Sequence, residues 1–394
     1  MKNIIRVTKI LFLTIVLLCL SVGLYFYVTQ DDENSGLMLP LKESSYTEYN
    51  PTQDNVKTIG RSYYENEVRY FSYSGSGIEF SFTGEYAVVN ILGDAVETQS
   101  ENHLARFAIY KDGQVLYDDI VKLPEKKYYI YSTDPKKETT VTIIKLSEAK
   151  YSSFGVGKIG TFSNRRIAPT GDKKLKIEFI GDSITCGYGI DEENINGYFS
   201  TTTENFTKTY AYMTAQNLNA DYSVVAFSGY GVVSGYTSNG VQNKEATVGQ
   251  HYDKSAFLSY GRQLQWYFQD FESDVVVINL GTNDATYCSK SYQRRQMFIS
   301  EYVALLRTIR EHNPNAYILC ILGDMNNSLY HSIEQAVLQF TNESADSKVE
   351  AMTVEYRMDI NDIVIDGHPG YMSNIYAASV LSEKINSILP NFNY

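Results

Sequence analysis

Four short polar segments of this chain carry residue types that together could perform acyl transfer. The segments are Gly181-Asp182-Ser183, Ser228-Gly229, Gly281-Thr282-Asn283-Asp284 and Asp366-Gly367-His368. Acyl transfer by a side chain needs a hydroxyl nucleophile, a base that accepts its proton, a group that orients the base, and donors for the oxyanion. We predict Ser183 as the nucleophile, His368 as the base and Asp366 as the orienting group.

The oxyanion donors are expected from the same segments. The backbone N–H groups of Ser183 and Gly229 and the side-chain amide of Asn283 can point at one oxygen. Removing one such donor typically costs about 3 kcal/mol of transition-state stabilisation. Asp366 and His368 lie two residues apart, and in an extended segment such side chains point the same way. This spacing predicts that Asp366 holds the imidazole of His368.

Each of these residues also has an ordinary structural explanation. Ser183 could cap a helix, because serine oxygens accept the free N–H groups of a first turn. Asn283 could be a turn former, and a loop histidine is more often a surface residue than a catalyst. What favours catalysis is that complementary groups recur on loops of one predicted sheet edge. Only His368 has both the right loop and the right acidic neighbour; the other histidines are His103, His251, His312 and His331.

The elements that must position these segments alternate between apolar runs and helix-like stretches over residues 170–394. The apolar runs are KIEFIG, YSVVAFSG, DVVVINLG, AYILCILG and VEAMTVEY. One helix-like stretch, 291–312, has an apolar face made of Phe298, Tyr302, Leu305, Leu306 and Ile309. The pattern predicts an α/β domain with a doubly wound, flavodoxin-like parallel sheet of five strands. Ligands of such sheets bind at the carboxyl ends of the strands, where the polar segments lie.

A different pattern precedes this domain, over residues 56–165. Apolar and polar residues alternate with period two in short runs such as GIEFSFTG, and the runs are separated by turn signals. Lys111-Asp112-Gly113 is a predicted hairpin turn. The pattern predicts an antiparallel β-sandwich, with the polar residues 31–55 as a linker in front of it.

The amino terminus predicts a membrane segment within residues 1–30. Lys2, Arg6 and Lys9 precede an uncharged apolar run, 10–28, which at ~1.5 Å per helical residue just crosses the hydrocarbon core. The basic flank would stay in the cytoplasm and the rest of the chain would be extracytoplasmic. The run is long for a signal peptide and no small-x-small cleavage site follows it, which favours a retained anchor over a secreted, cleaved form.

Charge and cysteine content exclude two further classes of site. The chain has 34 basic and 46 acidic side chains, a formal net charge of −12, and no long basic run, so nucleic acid is not an expected partner. Beyond the apolar run the cysteines are Cys186, Cys288 and Cys320, an odd number without CxxC or His-rich spacing. No metal site is predicted. Packing is the default role of the cysteines, and pairing of Cys186 with Cys288 stays open.

These segments, in this order, resemble the signatures of the SGNH (GDSL-type) hydrolases. GDSI matches at Ser183, SG at Gly229, GTND at Asn283, and DGH at Asp366 and His368. The string IEFIGDSITCGYG and the preceding sandwich look more narrowly like carbohydrate esterase family 2, in which a jelly-roll domain precedes the SGNH domain. The resemblance covers about residues 56–390.

The resemblance implies an extracytoplasmic serine esterase that removes O-acetyl groups from polysaccharide through an acetyl-serine intermediate, with no metal or organic cofactor. Family members often place a tryptophan from a late loop over the sugar, whereas the only tryptophan here is Trp266, before the third strand. Met325 and Tyr330, after the fourth strand, are the candidates to replace it in substrate binding.

Two other functions stay open at this point. The same site could transfer acetyl groups onto a cell-wall or capsular glycan, since hydrolysis and transfer differ only in the acceptor that reaches the acyl-enzyme. The chain could also be a catalytically inactive glycan-binding protein, although its serine, histidine, aspartate and asparagine are all present. A lipase is disfavoured because no extended apolar lid is evident.

Overall fold

The computed structural model of the protein describes residues 46–163, 165–323, 325–354 and 362–390. The predicted anchor, residues 1–30, and most of the predicted linker lie outside the described residues. Within these ranges no helix combines the length and the apolar character that a membrane span requires. From residue 47 onward, the described residues form one compact unit.

Antiparallel strands build the amino-terminal half, as predicted. The strands are β1 (Tyr46–Tyr49), β2 (Lys57–Ile59), β3 (Tyr63–Glu65), β4 (Val68–Phe71), β5 (Gly77–Phe82), β6 (Tyr86–Gly93), β7 (Arg106–Lys111), β8 (Gln114–Ile120), β9 (Glu125–Tyr131), β10 (Thr139–Lys145), β11 (Phe154–Phe162) and β12 (Ala168–Pro169). One sheet has the order β3-β4-β11-β6-β9 and the other β12-β5-β10-β7-β8, while β1 pairs with β11 and β2 with β5.

The alternating pattern explains how these two sheets form a sandwich. Inward residues such as Ile78, Phe80 and Phe82 of β5 are buried in one apolar cluster with Phe107 and Phe154. The predicted hairpin turn joins β7 to β8, with positive φ at its two central positions, Asp112 and Gly113.

Two boundaries of this half differ from the prediction. Strand β1 falls inside residues 31–55, so the last part of the predicted linker is folded into the sandwich. Strand β12 extends the sandwich past residue 165, because it pairs with β5.

The carboxyl-terminal half contains the predicted parallel sheet. Its strands are β13 (Leu175–Gly181), β14 (Ala220–Ala226), β17 (Val275–Asn279), β18 (Tyr317–Gly323) and β19 (Val349–Val354), in the order β14-β13-β17-β18-β19. All neighbouring pairs are parallel. Strand β17 is buried along its whole length, as expected of a strand covered on both faces. A hairpin that the sequence pattern did not predict, β15 (Lys254–Leu258) with β16 (Arg262–Gln265), lies between β14 and β17 in the chain.

Helices cover both faces of the parallel sheet. They are α1 (Ser183–Cys186), α2 (Tyr210–Asn217), α3 (Asp284–Cys288), α4 (Tyr292–His312), α5 (Tyr330–Ser344) and α6 (Tyr371–Ile388). The predicted apolar face of α4 is buried, which confirms the helical spacing of its apolar residues. The strand order reverses between β13 and β17, and this switch point is where doubly wound sheets bind ligands.

The cysteines within the described ranges pack as free thiols. Cys186, Cys288 and Cys320 are all buried and unbridged, so the default prediction of packing is confirmed.

Candidate active site

Ser183 begins the helix that follows β13, at the switch point of the sheet. The Asp182 side chain caps this helix by accepting the N–H of Ile184 at 3.1 Å. Gly181 permits the tight strand-to-helix turn, because a Cβ there would lie 2.0 Å from the Thr185 hydroxyl. The helix cap is therefore Asp182, and the hydroxyl of Ser183 is left for another partner.

That partner is His368. The Nε2 atom of His368 lies 2.7 Å from the Ser183 hydroxyl oxygen, although the two residues are 185 positions apart. The Nδ1 atom lies 3.1 Å from the carbonyl oxygen of Ile365. A carbonyl only accepts, so Nδ1 carries the proton and Nε2 presents a lone pair to the serine hydroxyl.

Burial keeps this imidazole neutral. It lowers the pKa of His368 to about 4, against the opposing effects of the Ile365 carbonyl and the Asp366 carboxylate. Near neutral pH, His368 is therefore a neutral imidazole whose unprotonated Nε2 can accept a hydrogen bond from the Ser183 hydroxyl. This is the arrangement that activates a serine nucleophile.

The structure corrects the predicted role of Asp366. Residues Ile365–Gly367 form a short 3₁₀ turn in which Asp366 has φ 52° and ψ 24°, so the segment is not extended. The Asp366 carboxylate instead accepts a hydrogen bond from the Tyr188 hydroxyl at 2.8 Å. The orienting role assigned to Asp366 falls to the backbone carbonyl of Ile365.

Tyr188, which sequence reasoning missed, packs directly on the base. Its ring stacks on the His368 imidazole with centroids 4.4 Å apart. Further rings continue the stack: Tyr188 with Phe199, Phe199 with Tyr151, and Tyr151 with His103. We call these residues the ring column. The pattern Gly187-Tyr188-Gly189 after the serine turn was the available signal for Tyr188.

The predicted oxyanion donors differ in their availability. Gly229 has φ +82°, and its N–H has no protein acceptor among the described residues. The Asn283 amide donates to the Asp182 carboxylate at 3.1 Å and to the Tyr230 carbonyl at 2.8 Å. Both of its hydrogens are engaged, so donation to an oxyanion would require it to exchange one of these bonds.

Asp284 organises the loop that follows Gly229. Its buried carboxylate accepts the N–H groups of Val232, Val233 and Ser234 at 2.7–3.0 Å. Burial raises the pKa of Asp284 to about 6 and that of Asp182 to about 7. The Asp residues of GDS and GTND therefore hold backbone N–H groups in place.

The predicted substrate-binding residues contact the core. Met325 packs against the apolar cluster on one side of the parallel sheet, and the Tyr330 hydroxyl donates to the carbonyl of Ala351 at 3.4 Å. Neither contact points to a sugar site. Trp266 is buried over the guanidinium of Arg61, so it does not cover the active site either.

Comparison with known proteins agrees with this architecture. Residues 179–368 match the GDSL-like Lipase/Acylhydrolase family, which is the class that the fold and the Ser–His pair define. Residues 58–170 match the Carbohydrate esterase 2 N-terminal family. The chain thus contains a carbohydrate esterase 2 N-terminal domain followed by a GDSL-like lipase/acylhydrolase domain, which confirms both the predicted fold class and the predicted resemblance.

The chain spans only part of the length of the curated relatives that it matches. The Cellulase/esterase CelE of Acetivibrio thermocellus is 29% identical over 322 residues, 81% of this chain but 37% of that protein. An Acetylxylan esterase / glucomannan deacetylase of Cellvibrio japonicus is 28% identical over 231 residues, 53% of this chain and 59% of that protein.

Solved structures extend the similarity to nearly the whole described fold. A family two carbohydrate esterase from Clostridium thermocellum, in complex with cellohexaose, has a TM-score of 0.73 at 27% identity, covering 85% of this chain and 99% of that one. An acetyl xylan esterase from the rumen bacterium Butyrivibrio proteoclasticus has a TM-score of 0.79 at 22% identity, covering 88% and 99%.

Proposed function

We propose that this protein is a serine esterase that removes O-acetyl groups from polysaccharide through an acetyl-serine intermediate. The observation that carries the proposal is the 2.7 Å contact between the Ser183 hydroxyl and Nε2 of a neutral His368. Its setting supports the proposal, because the contact lies at the switch point of a parallel sheet, and the Gly229 N–H after the neighbouring strand β14 has no acceptor among the described residues.

Acylation uses the groups in the positions described. His368 Nε2 takes the proton of Ser183 as the serine oxygen attacks the acetyl carbonyl carbon, and the imidazolium formed keeps its Nδ1–H on the Ile365 carbonyl. The carbonyl oxygen becomes an oxyanion facing the N–H groups of Ser183 and Gly229. The tetrahedral intermediate then expels the sugar oxygen, which takes the proton from Nε2 and leaves as a hydroxyl.

Deacylation repeats these steps with water in place of the serine. Water gives a proton to His368 and attacks the acetyl-serine carbonyl, and the same N–H groups face the oxyanion again. The Ser183 oxygen leaves, recovers the proton from Nε2, and acetate is released. One ester bond is broken and one water is consumed for each acetate.

Two observations support a polysaccharide as the substrate. One curated relative is named an acetylxylan esterase / glucomannan deacetylase and another a cellulase/esterase, and one solved relative is in complex with cellohexaose. The ring column also places half-buried aromatic rings next to His368. Because their faces are stacked on one another, it is their exposed edges that offer apolar area to a sugar.

The test is an acetate-release screen over acetylated xylan, acetylated mannan, peptidoglycan and capsule. We expect Ser183→Ala to lower kcat on the order of 10⁵-fold, because the nucleophile acts as a unit with its base. The matched control is Ser332→Ala, another buried serine, in α5, which should retain wild-type activity. Equal acetate release by wild type and Ser183→Ala would overturn the proposal.

The same screen separates hydrolysis from transfer. Release of acetate without any added acceptor supports the esterase. Acetate that stays enzyme-bound until a glycan is added, and then becomes attached to that glycan, would identify a transferase.

A further inference from the structure

The peptide group that precedes the Gly229 N–H is held by the β-sandwich. Lys150, in the loop between β10 and β11, donates from Nζ to the Ser228 carbonyl at 3.0 Å. Glu148, in the same loop, accepts the Ser228 N–H through Oε2 at 2.7 Å. Both backbone polar groups of Ser228 are thus bound by side chains of the sandwich.

The first of these contacts sets the direction of the Gly229 N–H. The Ser228 carbonyl and the Gly229 N–H belong to one planar trans peptide, so they point in opposite directions. Fixing the carbonyl on Lys150 therefore fixes the N–H on the other side of the plane. This N–H is the predicted oxyanion donor, and it has no acceptor among the described residues.

Glu148 is itself held by a second buried glutamate. Glu148 and Glu204 are both 0% exposed, and the Glu204 Oε2 atom accepts the Glu148 N–H at 2.9 Å. The Oε1 atom of each has no hydrogen-bond partner among the described residues. Oxygens of these two carboxyl groups and the Cys186 sulfur lie within 4.8 Å of one another.

The surrounding charges decide how many protons this pair holds. Lys145 is fully buried beside the pair and donates to the Glu148 carbonyl at 2.8 Å. Burial lowers the pKa of Lys145 to about 8, so it is cationic at neutral pH. Two ionised carboxylates against one ammonium would leave an uncompensated buried charge, whereas a single shared proton makes the group neutral.

Three other titratable groups lie near the pair. Burial, followed by the neighbouring acids, raises the pKa of the Cys186 thiol, so the thiol stays neutral. Lys150 is a second cation and lowers the pKa of Glu148, but its side chain is exposed and water screens its charge, whereas Lys145 is buried with the pair. Burial raises the pKa of the Tyr151 hydroxyl, which stays neutral. Burial also raises the pKa of Glu148, and that of Glu204 is raised by burial and by Glu148.

We propose that the β-sandwich positions the oxyanion donor of the α/β domain: Lys150 and Glu148 clamp the backbone of Ser228, and Glu148 and Glu204 share one proton. Glu148, Glu204 and Lys150 are positioning residues that act through the Ser228–Gly229 peptide. The catalytic part of this inference rests on the proposed esterase function, and the shared proton does not.

The kinetic test compares an amide with a truncation. In Glu148→Gln the amide oxygen still accepts the Ser228 N–H and the amide NH₂ donates to Glu204, so kcat should stay close to wild type. Glu148→Ala removes the acceptor and should lower kcat about 100-fold with little change in KM, as expected when a preorganised donor is misplaced. Lys150→Met removes the donor to the Ser228 carbonyl and should also lower kcat, whereas Lys150→Arg keeps a donor there and should retain a kcat close to wild type.

The matched control for loss of stability alone is Glu178→Ala, at another buried glutamate, whose ion pair with Arg61 joins the sandwich to the parallel sheet. It should lower the midpoint of thermal unfolding without lowering kcat of the folded enzyme. A folded Glu148→Ala with wild-type kcat would overturn the positioning role, as would a Glu148→Gln as impaired as Glu148→Ala.

The protonation is tested without any substrate. At neutral pH the infrared spectrum of wild type should contain the C=O stretch of a protonated carboxyl group, which Glu148→Gln should lack. The difference spectrum between wild type and Glu204→Gln should show the same wild-type band. The absence of this band, or stoichiometric divalent metal that wild type binds and Glu148→Gln does not, would overturn the shared proton. Wild type that shows the band but cleaves no acyl ester would contradict the proposed function and leave the proton assignment intact.

Discussion

In the proposed mechanism the base, His368, is oriented by the Ile365 carbonyl, and this has a measurable consequence for Asp366. An aspartate that orients a catalytic histidine contributes about 10⁴-fold to kcat in a Ser-His-Asp triad. Here Asp366 bonds to Tyr188, whose ring packs on His368. We therefore expect Asp366→Ala to lower kcat no more than about tenfold, far below the loss for a triad aspartate.

Tyr188→Phe is the matched variant for this prediction, because it removes the same hydrogen bond from its other end. The two single variants and the double variant should have the same kcat, measured on p-nitrophenyl acetate. If Asp366→Ala lowered kcat nearly as much as His368→Ala, Asp366 would be the orienting member of a Ser-His-Asp triad after all.

The low pKa of His368 gives a second prediction at this scale. The ring resonances of His368, assigned by their absence from His368→Gln, should titrate with a pKa of about 4 instead of the ordinary 6.5. Between these values the unfolded chain binds the proton and the folded protein does not, so stability falls as pH decreases from 6.5 towards 4. The loss is roughly 3 kcal/mol at 1.36 kcal/mol per pKa unit. A titration midpoint of the His368 ring near 6.5 would contradict the conclusion that burial lowers its pKa.

The sequence predicted that Ser183 and His368 lie at one site, where the structure brings them into contact, but it did not predict the contacts that position them. Ser183 and His368 lie on loops that a doubly wound sheet must bring to one edge. The Asp366 prediction assumed an extended segment, and the positive φ of Asp366 cannot be read from residue types. Tyr188 and Glu148 are typical surface-loop residues by pattern, and only the packed structure brings them to the site.

At the scale of elements, the loop after β14 depends on one carboxylate of α3. The Asp284 Oδ1 atom accepts all three N–H groups of residues 232–234. Asp284→Ala leaves these buried donors without a partner and should lower the free energy of unfolding by about 3 kcal/mol or more, at 1–3 kcal/mol for each donor.

Asp284→Asn is the conservative comparison, because its amide oxygen can occupy the position of Oδ1. Urea unfolding should show a much smaller loss for Asn than for Ala. Equal losses would mean that the negative charge, and not the hydrogen bonds, holds this loop.

Sequence patterns predicted elements best where burial is regular. The five strands of the parallel sheet and helix α4 followed from apolar runs and helical period. The β15–β16 hairpin was missed because its pattern, KSAFLSYGRQLQ, mixes polar and apolar residues and it pairs only with itself. Strand β1 was missed because one polar strand on a sheet gives almost no periodic signal.

At the scale of the whole molecule, a buried ion pair joins the two halves. Arg61, between β2 and β3, bonds to Glu178 of β13 at 2.9 Å and to the Lys254 carbonyl of β15, and both charged side chains are almost fully enclosed. Rings of Tyr252 and Trp266 lie over its guanidinium. The structural role of the only tryptophan is therefore to enclose this arginine.

Breaking this pair should unfold the protein more easily. Arg61→Ala leaves Glu178 buried without its partner, which typically costs about 3–5 kcal/mol of unfolding free energy. Arg307→Ala is the control, because the Arg307–Glu343 pair is exposed and water screens such pairs, so that its loss should change stability little. Denaturant unfolding of both variants measures the difference, and equal losses would contradict the structural role of Arg61.

The buried arginine also bears on how this chain can be rebuilt. Producing the two halves separately, with a boundary at residues 165–170, would expose Arg61 and Glu178. We therefore expect that the α/β half cannot be fused to other binding modules without the sandwich. The Asp112-Gly113 turn is a better insertion point, since a side chain added at Gly113 meets no atom within 4 Å. A reporter or affinity tag placed there would leave the junction of the two halves untouched.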